Sequence, residues 1–310
     1  MLYSIFKKQF LGLAKLFKKL DTPRLEKEVY PEEVNLTVHD YLPSENEFHK
    51  FNLYKNINIK EPKPLIIDIH GGAWVYGTKD LKRAFCSSFA YRGYDVISLS
   101  YRLIDEVMLE DQIKDIFECL NYIYINKDNL DISFDNVFIT GDSAGGHLAL
   151  VTSKIISDPV LANELGIKLP SFKVNATLIN HPVPYTDIAG TLVGKPILSK
   201  LVSIPGIKRI FYGKNYKDNI FYQKLVNPEV YINKDTKLPK LLLLTSKKDT
   251  LYHYQSDKLN NYLNSIGFNF EYYCEDDKEG IHVFNSIYPY SNIGIKANNF
   301  IDNFFKKHMN

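Results

Sequence analysis

The stretch whose reading decides the fold is NVFITGDSAGGHLALVTSK, residues 136–154. It opens as a short apolar run of strand character, passes through Gly141, Ser143, Gly145 and Gly146, and continues with helical character. Its centre, GDSAG, fits the pattern G-x-S-x-G. Flanking glycines let a strand turn sharply into a helix with the serine at the tip, because no β-carbon blocks the tight backbone. The pattern alone is weak. A strand before it and a helix after it are the setting it requires.

On either side the chain alternates. PLIIDIH (64–70), YDVISLSYRL (94–103), FKVNATLINHPV (172–183), KLLLLTSKKDT (240–250) and FNFEYYC (268–274) read as strands. DLKRAFCSSFAYRG (80–93), LEDQIKDIFECLNYIYINKD (109–128), YHYQSDKLNNYLNSIG (252–267) and the tail near 291–308 read as helices. This βαβα rhythm predicts an α/β fold, a mostly parallel sheet with helices on both faces. EEVNLTVHDYLP (32–43) and FHKFNLYKNI (48–57) read as a strand pair at its edge. Residues 29–310 are expected to form one domain. Residues 185–235, with Pro196, Pro205 and Pro228, break the rhythm and are expected to be an inserted lid.

A serine hydroxyl is a poor nucleophile at neutral pH. It needs a base, and the base needs an orienting carboxylate. Both are expected in loops after later strands. Asp249 ends KLLLLTSKKD, and His282 lies in the loop after FNFEYYC. The order Ser143, Asp249, His282 differs from the chymotrypsin and subtilisin orders. His39, His49, His147, His181, His253 and His308 are less well placed as bases, and Glu275, Asp276 and Asp277 as acids. The oxyanion formed on attack needs preorganised N–H donors. IDIHGGAWVYG (67–77) offers Gly71 and Gly72, and Ala144 follows the serine. His70 reads as a hydrogen-bonder that organises this loop. Trp74 reads either as a wall of the substrate pocket or as packing.

HGGAW, AYRGYDVISLSYRL, GDSAGGHLAL, KKDTL and HVF, in this order, resemble the α/β-hydrolase superfamily. More narrowly they resemble its hormone-sensitive-lipase-like and carbohydrate-esterase-like bacterial branch, over roughly residues 30–308. The resemblance implies Ser143 as nucleophile, His282 as base, Asp249 as its partner, and Gly71, Gly72 and Ala144 as the oxyanion hole. NPEVY (227–231) resembles the end of the inserted region, with Asn227 where a serine is usual. Ala73 stands where many lipase-like members carry a third glycine, which puts activity on tertiary alcohol esters in doubt. The expected activity is hydrolysis of short-chain acyl esters through an acyl-enzyme. Related acyl hydrolysis (a deacetylase, an arylformamidase, an oligopeptidase) is the alternative, and a non-catalytic ligand-binding role ranks below it.

Composition narrows the partners. The 310 residues hold 38 basic and 36 acidic side chains, a net charge of +2 that gives no reason to expect nucleic acid. Cys86, Cys119 and Cys274 are widely spaced and read as reduced thiols, which fits a cytoplasmic setting. No cofactor or metal is expected. Residues 1–28 read as an amphipathic helix with Lys7, Lys8, Lys15, Lys18 and Lys19 and no acid before Asp21. Its bland role is packing on the domain. Weak contact of residues 1–20 with an anionic membrane surface is the other. Oligomeric state and natural substrate are not set by the sequence.

Overall fold

A computed structural model describes residues 2–188 and 204–310 of the chain. Eight strands form one sheet in the order β1-β2-β4-β3-β5-β6-β7-β8. They are β1 (Val34–Asp40), β2 (Lys50–Asn56), β3 (Leu65–Ile69), β4 (Asp95–Leu99), β5 (Val137–Asp142), β6 (Ala176–Asn180), β7 (Lys240–Ser246) and β8 (Glu271–Glu275). β1 and β2 are antiparallel at one edge, and β4 through β8 run parallel with β3. Neighbours on the two sides of β3 come from different crossovers. The carboxyl edge beside β3 and β5 is therefore a topological switch point, where open α/β sheets place their ligands.

The central strands are apolar on both faces because both are covered. Ile67, Ile69, Ile97, Leu99, Ile139 and Leu243 point into one core. Ile66, Val96, Phe138, Leu242 and Leu244, their immediate neighbours in sequence, point into the other. The first core is closed by α3 (Leu109–Ile125), α4 (Ala144–Ile156) and α6 (His253–Ser265). The second is closed by α2 (Arg83–Tyr91) and α7 (Asn292–Lys307). Helical spacing explains which residues each helix buries. In α3, for example, Ile113, Ile116, Phe117, Leu120 and Ile123 are inward.

The N-terminal helix α1 (Leu2–Leu25) lies against this body. Phe10 is buried, Phe17 sits 6.0 Å from the Tyr76 ring, and Arg24 donates to the Leu81 carbonyl at 3.2 Å. Lys8, Lys15, Lys18 and Lys19 are on its exposed side, with Leu16 and Leu20 beside them. Among the described residues, no helix is long and apolar enough to cross a membrane.

Of the segment expected to be a lid, residues 189–203, Pro196 included, lie outside the described residues. After them come α5 (Ile204–Tyr212) and short helices at Ile220–Leu225 and Pro228–Tyr231, all between β6 and β7. Ile207, Ile210 and Phe211 of α5 are buried in the first core. Phe211 meets Phe10 edge-on at 5.8 Å and Trp74 at 4.8 Å.

Phe138 is fully buried at the centre of the second core, stacked on Phe305 at 4.4 Å. Phe138→Ala is expected to cost about 3–5 kcal/mol, the range for emptying an aromatic site in a packed core. Urea unfolding monitored by fluorescence tests this, and a loss under ~1 kcal/mol would contradict the packing described.

Candidate active site

At the carboxyl edge of β5 the chain reverses in one residue. Ser143 has φ 55 and ψ −118, a conformation non-glycine residues rarely adopt. Asp142 before it ends β5, and Ala144 after it begins α4. The turn is held from the end of β6 and the segment after it: Ser143 N–H donates to Asn180 O at 2.9 Å, and Ser143 O accepts from Val183 N–H at 3.2 Å. Both flanking glycines are dictated by contact. A β-carbon on Gly141 would strike the Gly145 carbonyl, and one on Gly145 the Ile69 and His70 carbonyls. From 137 to 153 every residue is buried except Ser143.

Asp249 and His282 sit in the loops that follow β7 and β8, on the same sheet edge as Ser143. His282 Nδ1 is 2.6 Å from Asp249 Oδ2. Asp249 Oδ1 accepts from the N–H groups of Leu251 and Tyr252 at 3.1 and 3.0 Å. Burial opposes the charge on Asp249. The facing imidazole of His282 and the Tyr252 N–H outweigh it and hold the carboxyl down at about 2. An ionised carboxylate only accepts, so Nδ1 of His282 carries the hydrogen and donates it to Asp249 Oδ2. The Tyr252 ring packs on His282 at 4.9 Å, and the imidazole retains partial exposure.

The loop after β3 lies directly on the elbow. Gly71 packs against Asp142, and Gly72 takes φ +109 with its carbonyl bonded by the N–H groups of Val75 and Tyr76. Among the described residues, none accepts a hydrogen bond from the N–H of Gly71, Gly72 or Ala144. Backbone donors without a partner beside an exposed serine are the groups an oxyanion would use. His70 is fully buried, stacked on Tyr101 at 4.3 Å, and donates through Nδ1 to Gly71 O at 2.7 Å. Burial lowers its pKa to about 4, so it is neutral and organises the loop. Trp74 is buried, donates to His147 Nδ1 at 3.3 Å and packs on Phe211.

The other candidates lie elsewhere or are occupied. His39 stacks on Phe51, His49 bonds Ser44, and His308 faces Glu271. His147 is sealed in the first core, and His253 begins α6. Glu275 is taken by Tyr273 and Lys296, and Asp276 by Lys247.

Two features escaped the sequence reading. His181, at the end of β6, is fully buried with φ 45, and its ring meets His282 edge-on at 5.6 Å. Burial first, and the neighbouring His282 second, bring its pKa down to about 3. A histidine at a strand end was visible, but its approach to His282 depends on two loops meeting. The second is a buried charge cluster of Asp68, Lys82 and Asp142. The signal for it was Asp68, an acid inside the apolar run PLIIDIH.

The depressed Asp249 carboxyl has a consequence for stability. Its folded value lies below the ordinary one, so its contribution is complete above pH ~4 and fades as pH falls from there to about 2. Asp249→Asn is expected to lose about 2 kcal/mol at pH 7, with the gap to wild type closing towards pH 2. Urea unfolding at several pH values measures this, and a gap independent of pH would contradict it.

The sequence matches the BD-FAE family over residues 51–263, more than half of the chain. Among curated relatives, the versiconal hemiacetal acetate esterase of Dothistroma septosporum is 27% identical over 200 residues, covering 62% of this chain and 57% of the relative. The arylesterase of Saccharolobus solfataricus is 28% identical over 194 residues, covering 60% and 58%. The chain thus spans a little over half the length of these relatives. Among solved structures, esterase B from Lactobacillus Rhamnosis (HN001) superposes with a TM-score of 0.90 at 24% identity, over 99% of this chain and 96% of that one. A C4-C4 SN3 tributyrin phosphonate-inhibited form of the same esterase gives 0.88 at 25% identity, over 99% and 96%. With its eight-stranded sheet, its G-x-S-x-G turn at the switch point and this match, the chain has the α/β-hydrolase fold and belongs to the BD-FAE family.

Proposed function

We propose that the protein is a serine carboxylesterase that cleaves short-chain acyl esters through an acyl-enzyme. Ser143 Oγ attacks the ester carbonyl while His282 Nε2 takes its proton, and the Asp249 carboxylate stabilises the imidazolium. The N–H groups of Gly71, Gly72 and Ala144 bind the oxyanion. Collapse breaks the carbonyl–alkoxy bond, and His282 returns the proton to the departing alcohol. Water then attacks the acyl carbon, giving its proton to His282, and the acid leaves as Ser143 is reprotonated. The observation that carries this reading is the 2.6 Å pair of His282 and Asp249 on the sheet edge that presents Ser143.

Trp74, packed between His147 and Phe211, is proposed to wall the acyl pocket. The C4-C4 phosphonate bound by the structurally similar esterase B supports a short acyl group. Ala73 takes φ 52, the left-handed conformation that glycine adopts freely, so the loop keeps its shape but carries a methyl group. On this reading a methyl group in place of a third glycine disfavours tertiary alcohol esters.

Hydrolysis of p-nitrophenyl esters from acetate to long acyl chains tests the reading. The rate is expected to peak at short chains, and Ser143→Ala to lower kcat on the order of a thousandfold or more with the fold intact. Tertiary alcohol esters are expected to be cleaved slowly. A Ser143→Ala variant near the wild-type rate would refute the nucleophile, and rapid cleavage of a tertiary ester would refute the role of Ala73.

The proposal includes a cytoplasmic setting, supported by three free cysteines, two of them buried. It also includes weak contact of α1 with an anionic membrane surface through Lys8, Lys15, Lys18 and Lys19. Sedimentation with phosphatidylglycerol vesicles is expected to pull down a salt-sensitive fraction. Equal binding to phosphatidylcholine vesicles would argue against it.

A further inference from the structure

Directly beneath the elbow lies a buried cation that the mechanism above does not use. Lys82, the residue before α2, is 2% exposed, and its Nζ lies 2.5 Å from Asp68 Oδ1 and 2.9 Å from Asp142 Oδ1. Asp68 is on β3, two residues before His70, and is fully buried. Asp142 is the residue before Ser143 and is 4% exposed. Ser98 Oγ donates to Asp68 Oδ2 at 3.4 Å, and the Cys86 thiol faces the same oxygen at 3.8 Å. The Phe85 ring lies 5.3 Å from the ammonium.

The chain leaves β3 at Ile69, runs through Gly71 and Gly72, and reaches Lys82, whose side chain returns to Asp68 fourteen residues back. The loop that offers the oxyanion donors is thus closed on itself by an ion pair. The same ammonium grips the residue beside the nucleophile. Asp142 is also what the loop rests on: a β-carbon placed on Gly71 would lie 2.7 Å from Asp142 O and 3.3 Å from its Oδ1.

We propose that Lys82 is a positioning residue, one that fixes the Gly71–Gly72 loop against the elbow by tying Asp68 on β3 to Asp142 beside Ser143. The inference rests on the esterase reading above. A misplacement of ~1 Å at reacting groups costs on the order of a hundredfold in rate. Tyr101 and Gln112 hold the loop at the His70 and Trp74 carbonyls, and Lys82 adds the tie from β3 to the residue beside Ser143. A buried pair is no economical source of stability, since a well-packed apolar substitute is often as good. Its use here is to fix geometry. Burial opposes the ammonium, but Asp142 and Asp68 outweigh it and raise its pKa, so the charge persists across the working range.

The test compares Lys82→Met, Asp142→Asn and Asp68→Asn in steady-state hydrolysis of p-nitrophenyl butyrate, with melting followed by circular dichroism. Lys82→Met is expected to lower kcat about 10–100-fold with KM within about twofold. Lys82→Arg is expected to recover part of the loss. Asp142→Asn, which breaks the link to the elbow, should lose kcat in the same way. Asp68→Asn, which breaks the link to β3, should lose kcat likewise, with KM little changed. A folded Lys82→Met with wild-type kcat and only a lower Tm would overturn the inference. If Lys82→Met does not fold, wild-type kcat in folded Asp142→Asn and Asp68→Asn overturns it. Wild type without any hydrolysis would instead sink the esterase reading, and the role of Lys82 with it.

Discussion

Ser143 held at positive φ is the constraint on which the rest of this molecule depends. Such a residue costs on the order of 1–3 kcal/mol and persists only where its surroundings leave no alternative. Here Asn180 at the end of β6 and Val183 just after it hold it, while Gly141 and Gly145 let β5 and α4 close to contact distance with the end of β3. That closeness brings the Gly71–Gly72 loop to the serine. The sheet order then matters, because parallel β7 and β8 deliver Asp249 and His282 to the same edge.

The electrostatics around this point are arranged by burial. His70, His147 and His181 are sealed, and desolvation keeps each neutral well below physiological pH. His282 alone of this group retains solvent access and has a carboxylate against its Nδ1. On the proposed mechanism no neighbouring imidazolium competes with the one that forms there. The Asp249 carboxylate is held by the backbone N–H groups of Leu251 and Tyr252 as well as by the imidazole.

Much of this was legible before the fold was seen, for a physical reason. Burial on two covered faces forces β3, β5 and β7 into largely apolar runs, and the crossovers must carry helical spacing. G-x-S-x-G reports a steric requirement, so its glycines were readable as contacts. Asp249 and His282 could be ranked because the ends of parallel strands share an edge. The family match itself ends at residue 263, short of His282, and the 2.6 Å contact brings the two together. What could not be read was anything made by side chains from separate segments. Lys82 and its two carboxylates come from three separate segments, and His181 meets His282 only where two loops converge. Trp74 was readable as pocket or packing, and only its bond to His147 and its contact with Phe211 reveal how deeply it is set.

The position of α1 carries a mechanical consequence. Through Phe17 and Arg24 it touches Tyr76 and Leu81 of the loop that follows Gly71 and Gly72, and through Phe10 it touches Phe211 of α5. Two segments from distant parts of the chain therefore share one brace, supplied by residues that precede the family match. Displacing α5 must either part the Phe10–Phe211 rings or drag α1, which also contacts Tyr76. Variation in this N-terminal helix is then a means of tuning how stiffly the site is held without altering any residue in it.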